Sequence, residues 1–437
     1  MKSFLTVNLG CKVNAYECDA IANILEDNGY ILDENNPDLI VINTCSVTAT
    51  SDSKSRQKIR RIIKENPNSI ICVMGCYSQI APEEVSAIEG VSIVIGTRYR
   101  DRILEYALEF EKNKKQIIKI DNARENSEYE NLTVYNFYDN TRAYLKIQDG
   151  CNNFCSYCII PYTRGLVRSK PRETVLKEAQ ILADKGYKEL VLTGIHTGGY
   201  GLDFENYRFY DLLKDLINDV KGIKRIRISS IEINELTNEV IELIKSNNII
   251  VNHIHIPIQS GCDKTLKAMN RKYNLAQFEE RIKILKDNIE DLSITTDVIV
   301  GFPNESDEDF EITYNTLKRI GFSRLHVFPF SSRKGTVASN MKNQIHGDIK
   351  KERVNRLILL SKELEKEYYS KHLNKSVEVL FEENKEGYYK GLTTNYLKVR
   401  VKSDENVSKC FKQVKLNKII DVGMDYEIEG EIIDELC

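Results

Sequence analysis

Along the first 112 positions, apolar residues fall in short unbroken runs separated by amphipathic stretches. Phe4–Leu9, Leu39–Ile42, Ile70–Met74 and Val91–Ile95 read as buried strands. Between them lie helical patterns. The first carries Ile21, Ile24 and Leu25 on one side and stops at Asn28-Gly29, and a Lys- and Arg-rich one runs from about Asp52 to Lys64. This βαβα rhythm predicts a parallel sheet flanked by helices. Residues 113–140 are polar and carry no clear period. They read as a linker, or as an excursion around the next unit.

From Ala143 to about Ser332 the alternation resumes on a larger scale. Tyr144–Ile147, Glu189–Leu192, Lys224–Ile228, Val251–Ile256, Ser293–Val300 and Leu325–Phe328 are strand-like, with helical patterns such as Glu173–Lys185 and Leu275–Asp287 between them. Strand–helix units repeating over about 190 residues predict a partial (β/α)6 barrel. Asp348 to about Leu373 reads as a long charged helix whose apolar side (Val354, Leu357, Ile358, Leu360) packs on that barrel. The tail turns β-rich, with Val377–Phe381, Tyr396–Val401 and Phe411–Leu416 as strands of a small β-barrel or sandwich. The expected fold class is α/β, divided into 1–112, a linker 113–140, a barrel core 141–370 and a β-barrel unit 371–437.

Composition narrows this picture. The 437 residues are 41% hydrophobic and 29% charged, ordinary for a globular protein. No apolar run approaches the roughly 18 residues that a membrane span needs. The apolar start at Phe4 is too short for a secretion signal, so a cytoplasmic protein with no membrane partner is expected. The net charge of −3 neither supports nor opposes a nucleic-acid partner, because a basic tract in one domain suffices. The eleven cysteines matter more. In a reducing compartment, clustered cysteines point to metal or catalysis rather than disulfides.

Gly150-Cys151-Asn152-Asn153-Phe154-Cys155-Ser156-Tyr157-Cys158 has the spacing C-x3-C-x2-C directly after a strand. A compact loop of this kind can aim three thiolates at one iron–sulfur cubane and leave one iron open, since four cysteines normally complete such a cluster. Its place at the C-terminal mouth of the barrel is where active sites of this architecture sit. A zinc site is the plainer alternative, but no neighbouring C-x2-C pair or His completes it. At these residues the chain resembles the radical-SAM superfamily. The resemblance implies that S-adenosylmethionine (SAM) chelates the open iron and is cleaved to a 5′-deoxyadenosyl radical, the protein serving to bind, orient and exclude solvent. It also implies SAM contacts at the ends of later strands: Gly194 in Leu192-Thr193-Gly194, Ser229 and Glu232 in the stretch from Arg227, Gln259 in the stretch from His255 to Gly261, and Asp297 in the stretch to Pro303. Gly or Ser at a strand end is by itself only turn chemistry.

Three further cysteines each follow a predicted strand: Cys11, Cys45 in Asn43-Thr44-Cys45, and Cys76 in Gly75-Cys76. If those strands are parallel neighbours, the three thiols emerge at one sheet edge, the usual ligand crevice of such sheets, and a second cluster is the natural reading. The alternative is burial, common for free Cys. It is the reading for Cys72 and Cys18, while Cys262, Cys410 and Cys437 are given no role. Gly10-Cys11-Lys12-Val13-Asn14, Asn43-Thr44-Cys45 and Gly75-Cys76, with the triad and Ile160-Pro161-Tyr162-Thr163-Arg164-Gly165, resemble the methylthiotransferase family over essentially the whole chain. That resemblance implies two [4Fe–4S] clusters, on Cys11, Cys45 and Cys76 and on Cys151, Cys155 and Cys158. One SAM then serves as methyl donor and another as radical source.

Lys398, Arg400 and Lys402 alternate along one strand and share a face, with Leu397, Val399 and Val401 on the other. Lys390, Lys412, Lys415 and Lys418 add charge nearby, and Tyr388, Tyr389 and Tyr396 could stack on bases. The face suits RNA or is simply solvated. The position resembles the TRAM domain that closes these enzymes, which implies a tRNA anticodon stem-loop as partner. The acidic stretch Asp425 to Glu435 partly offsets this face and has no sequence explanation. Substrates of the resembled family are adenosines at tRNA position 37, bearing an isopentenyl or a threonylcarbamoyl group, or a ribosomal-protein aspartate. The Gly-Cys-Lys-Val-Asn start resembles the threonylcarbamoyladenosine branch. A reductant such as a flavodoxin or ferredoxin and a monomeric state complete the expectation. The rivals are a non-catalytic RNA-binding protein with structural clusters and a radical-SAM enzyme that modifies protein.

Overall fold

The computed structural model describes residues 2–125, 128–137 and 141–433. Part of the predicted linker (126–127 and 138–140), the end of the acidic stretch (434 and 435) and Cys437 lie outside the described residues.

The first sheet has six parallel strands: β1 (Ser3–Leu9), β2 (Ile31–Leu32), β3 (Leu39–Thr44), β4 (Ile70–Gly75), β5 (Ile93–Ile95) and β6 (Ile117–Lys119), in the order β2-β1-β3-β4-β5-β6. Helices cover both faces of β3 and β4, so these strands are buried along their whole length and read as unbroken apolar runs. The helix expected from Asp52 starts earlier, at Ala49, because Thr48 caps it: its Oγ1 accepts from the Ser51 N–H at 3.1 Å. The polar stretch after residue 112 is not a free tether. It supplies β6 to the sheet edge, and its Leu132, Val134 and Phe137 are buried in the same apolar core as the barrel strands. These few anchors fall at unequal spacings and show no period, so the excursion reading describes this stretch and the linker reading does not.

The next unit begins with β7 (Ala143–Asp149), the short antiparallel β8 (Arg168–Ser169), β9 (Glu189–Gly194) and β10 (Arg225–Ile228), in the order β10-β9-β7-β8. It continues as β11 (His253–His255), β12 (Ser293–Val300) and β13 (Arg324–Pro329). Parallel bridges Ile226–Ile250 and Ser230–His255 join the two sheets, so β7-β9-β10-β11-β12-β13 form one arc of six parallel strands. The helix Gly347–Ser370 packs along β13. There Ser361 Oγ accepts from Leu325 N–H at 3.0 Å and donates to Leu325 O at 3.1 Å.

The tail is a closed five-stranded barrel of β14 (Ser376–Lys385), β15 (Tyr388–Leu392), β16 (Lys398–Val401), β17 (Phe411–Asp421) and β18 (Tyr426–Ile432), in the order β14-β15-β16-β18-β17. β15 and β18 escaped the hydrophobic pattern because tyrosines, glycines and glutamates interrupt them. Leu397, Val399 and Val401 point into the barrel core, as their alternation predicts. Among the described residues, no helix is long and apolar enough to cross a membrane.

Candidate metal centres

β1, β3 and β4 are in-register neighbours, with Leu9 opposite Thr44 and Thr44 opposite Gly75. Cys11, Cys45 and Cys76 therefore leave one edge of one sheet, the edge at the strands' C-terminal ends. Cys11 is exposed at the start of the helix Lys12–Asp27, whereas Cys45 and Cys76 are buried. Asn14 fixes this corner: its Oδ1 accepts from Cys11 Sγ at 3.1 Å, and its Nδ2 donates to Asn43 Oδ1 at 2.7 Å. Burial, then the neighbouring thiol of Cys76, pushes the Cys45 thiol up to about 11. Burial likewise raises Cys76, and the Arg164 guanidinium opposes the rise, its Nε–H donating to Cys76 Sγ at 3.3 Å. Among the described residues no three His, Cys, Asp or Glu stand close enough to share a single metal ion. Three cysteine thiols at one sheet edge are a donor set of the kind that holds iron–sulfur clusters.

The second cysteine set lies on the loop after β7. Gly150 opens it at φ +74°, and a Cβ there would stand 1.9 Å from the Leu166 carbonyl oxygen, so only glycine fits. Cys151 N–H donates to Gly165 O at 3.0 Å, and Cys158 N–H to Cys155 O at 2.9 Å. Ser156 Oγ pins the loop to Ala268 O at 2.8 Å. Two cationic groups touch the thiols. Arg271 donates to Cys155 Sγ at 3.3 Å. Burial alone would lower His196, but Cys151 and Glu235 outweigh it and push His196 up to about 10. Cations of this kind favour thiolates, the ligand form.

A cavity of about 230 Å³ opens beside Cys158. Val47 and Thr48, just past Cys45, form one wall; Tyr157, Cys158, Gln259 and Asp297 line others. Gln259 and Asp297 are thus brought together at the triad, with Gln259 N–H bonded to Asp297 O at 2.9 Å. Glu232 lies instead in a smaller pocket with Cys155, ion-paired to Arg271. Gly194 ends β9 against Gln148, where a Cβ would meet Gln148 Oε1 at 3.0 Å. Ser229 follows β10, and its buried Oγ has no hydrogen-bond partner among the described residues. Arg227, on the strand just before Ser229, is used elsewhere. It pairs with Glu189 at 2.8 Å and donates to Thr393 O and Thr394 O at 3.2 Å each, tying β10 to the terminal barrel.

Sequence reasoning missed the buried ionic core between the sheets. Arg164 Nη1 binds Glu17 Oε1 at 2.7 Å and Asp149 Oδ2 at 3.1 Å. Lys146 binds the same two carboxylates at 2.9 and 2.7 Å, and Arg100 binds Glu17 at 2.5 Å. Burial would raise both carboxyls, but Arg100, Arg164 and Lys146 around Glu17, and Lys146 and Arg164 beside Asp149, hold them well below the usual carboxylate range. Arg164 lay inside a motif already singled out; Glu17 had no sequence signal. The expected basic face on β16 is also largely neutralised. Lys398 pairs with Asp425 at 2.5 Å and Arg400 with Glu429 at 2.8 Å, which accounts for the acidic stretch. Of the three tyrosines, Tyr389 is buried in the barrel, Tyr396 stacks on His253, and Tyr388 lies under Arg400.

A six-stranded parallel arc with a cysteine triad after its first strand, joined to a second parallel sheet with three cysteines at its edge, defines an enzyme of the radical-SAM class. Residues 145–317 match the family described as Radical SAM superfamily, and residues 3–96 match Uncharacterized protein family UPF0004. The chain is 50% identical over 432 residues (97% of this chain, 95% of the relative) to the threonylcarbamoyladenosine tRNA methylthiotransferase MtaB of Bacillus subtilis. It is 39% identical to the Aquifex aeolicus protein of that name (92% and 98% covered), and 33% identical to the tRNA-2-methylthio-N(6)-dimethylallyladenosine synthase of Clostridium perfringens (99% and 94% covered). Among solved structures, the radical S-adenosylmethionine methyltransferase TsrM of Kitasatospora setae, with cobalamin and a [4Fe-4S] cluster bound, shares the fold. Its TM-score is 0.58 at 13% identity, covering 75% of each chain. The chain belongs to the radical-SAM methylthiotransferase family, and with membership come SAM and a [4Fe–4S] cluster.

Proposed function

We propose that this enzyme methylthiolates C2 of N6-threonylcarbamoyladenosine at position 37 of tRNA. The observation that carries the reading is the cavity with Cys158 on one wall and the Val47-Thr48 turn after Cys45 on another, since methylthio transfer needs a radical source and a sulfur source facing one substrate atom. The names of the relatives at 50% and 39% identity support the threonylcarbamoyl substrate over the isopentenyl one.

In this reading Cys151, Cys155 and Cys158 hold the SAM-cleaving [4Fe–4S] cluster within 141–370. Cys11, Cys45 and Cys76 hold a second [4Fe–4S] cluster within 1–112, and 371–437 engages the anticodon stem-loop. Gly194, Ser229, Glu232, Gln259 and Asp297 surround SAM. When bound, the clusters and SAM supply the electron, the radical, the sulfur and the methyl group. The chain's own residues do the rest. Arg271 and His196 neutralise thiolate charge at the triad, Arg164 does so at Cys76, and the apolar Ile299 and Phe330 keep water from the cavity. A flavodoxin or ferredoxin delivers the electron, and the enzyme works as a cytoplasmic monomer.

The deciding experiment is mass spectrometry of tRNA nucleosides from a deletion strain. The 2-methylthio derivative of threonylcarbamoyladenosine should vanish while its unthiolated precursor accumulates. Unchanged levels would refute the substrate. Anaerobic protein with reductant and SAM should also form 5′-deoxyadenosine; none formed by protein with intact clusters would refute the enzyme.

A further inference from the structure

Lys12 breaks two local rules at once. It is the first residue of the helix Lys12–Asp27, where a cation opposes the helix dipole, and that first turn holds no acidic residue to offset it. It is also solvent-accessible beside the exposed Cys11, and among the described residues no carboxylate is a charge partner for it. A charge placed against propensity and left unpaired marks a functional position more often than a stabilising one.

Its surroundings are cationic. Lys12 lies in the field of Arg142, Arg227 and Tyr396. The Arg227 guanidinium stands 4.9 Å from the Tyr396 ring centroid, and His253 stacks on that ring at 4.4 Å. Arg142 and Arg227 already have their counter-charges, Glu382 at 2.6 Å and Glu189 at 2.8 Å. Lys12 does not. His253 is buried, feels Lys12 and Arg227, and leaves its Nδ1 without a hydrogen-bond partner. An excess ammonium and a ring nitrogen unsatisfied among the described residues together call for one anion with hydrogen-bonding capacity.

We propose that Lys12 binds the carboxylate of the threonylcarbamoyl group on the substrate nucleoside, and so selects that substrate over one bearing an apolar N6 group. The inference rests on the tRNA reading above and names the residue that reads the modification. The carboxylate is the only anion that the modified base brings; the other anion of the stem-loop is backbone phosphate, which every stem-loop carries alike.

The test uses the cluster-loaded enzyme without SAM, so that binding is read apart from turnover. Fluorescence anisotropy compares anticodon stem-loops with threonylcarbamoyladenosine, isopentenyladenosine or unmodified adenosine at position 37. Wild-type protein should prefer the threonylcarbamoyl stem-loop. Lys12→Gln should reduce that preference over plain adenosine on the order of tenfold, the effect of losing one charge-assisted bond, and Lys12→Arg should retain most of it. Lys12→Met provides a second neutral variant should Lys12→Gln not fold. A preference unchanged in both neutral variants overturns the proposal. So does equal weakening of all three stem-loops by protein of native circular dichroism, which would assign Lys12 to a phosphate. Wild-type protein that binds the isopentenyl stem-loop in preference to the threonylcarbamoyl one overturns the substrate reading itself, before any substitution is made.

Discussion

The guanidinium of Arg164 donates to the sulfur of Cys76 at 3.3 Å, although the two residues are 88 positions apart. Arg164 follows the triad loop, and Cys76 follows β4. Its remaining donors go to Glu17 on the first helix and Asp149 at the end of β7. One buried side chain thus fixes the spacing of the two proposed cluster sites.

Replacing Arg164 by Leu leaves Glu17 and Asp149 buried with one cation fewer. Breaking a buried charge network in this way costs about 3–5 kcal/mol. The expected result is a lower urea midpoint for the Leu variant. Arg164→Lys keeps the charge and loses less. Equal midpoints for the Leu variant and wild type would mean that the network adds nothing to cohesion.

The six cysteines should separate by product. Cys155→Ala should abolish 5′-deoxyadenosine formation. Cys45→Ala should spare it more than methylthio transfer, and should lower iron content to about half if each set holds one cluster of equal size. Liquid chromatography of both products, with iron analysis, reads the difference. Parallel loss of both products in both variants would refute the division of labour between the two sets.

The parts of this molecule legible in sequence are those governed by local period. The runs of β3 and β4 were readable because both faces of these strands are covered, and Cys45 and Cys76 could be placed at one edge because parallel neighbours end together. The triad was legible through spacing alone. The linker reading failed because Leu132, Val134 and Phe137 are single anchors without a period. The partners of Arg227 were not legible because a strand-end motif does not reveal what its side chain meets, and Glu189 and the carbonyls of Thr393 and Thr394 are distant in sequence. The acidic stretch that offsets the face of β16 was visible in sequence, but its pairing was not, because Glu429 lies on β18, a strand the pattern did not reveal.

That neutralisation changes which residue of the terminal barrel should govern tRNA affinity. Arg400 and Lys398 carry carboxylate partners, whereas Lys402 is exposed and its recorded contact is with the Tyr388 ring at 5.2 Å. Lys402→Gln should weaken tRNA binding uniformly across sequences and lower the slope of log K against log salt by about one unit. Glu429→Gln, which releases Arg400, should tighten binding. Filter binding over a salt series tests both, and an unaltered slope for Lys402→Gln would remove this face from the RNA contact.

Glu365 gives the protein a pH-dependent joint between the barrel and the tail. It lies buried on the helix Gly347–Ser370, 3.4 Å from Arg324, which is itself ion-paired to Asp425 of the terminal barrel. Burial dominates and pushes its carboxyl up to about 7; Arg324 and Lys398 pull the other way, and Asp425 adds to the rise. In the unfolded chain the same group titrates near 4.3. Below that value both states hold the proton and stability is unaffected. Between it and pH 7 the unfolded chain loses its proton first, so the folded state binds more protons and stability falls as pH rises. Above pH 7 the deficit stays constant at roughly 3–4 kcal/mol, at 1.36 kcal/mol for each unit of difference. Glu365→Gln does not titrate and keeps an acceptor for the Tyr426 N–H. Its stability relative to wild type should therefore climb between pH 5 and pH 7 and level off by pH 8. Urea unfolding of both proteins at those three values reads this directly. A gap that does not widen with pH would mean that water reaches the carboxylate and that the joint carries no buried charge.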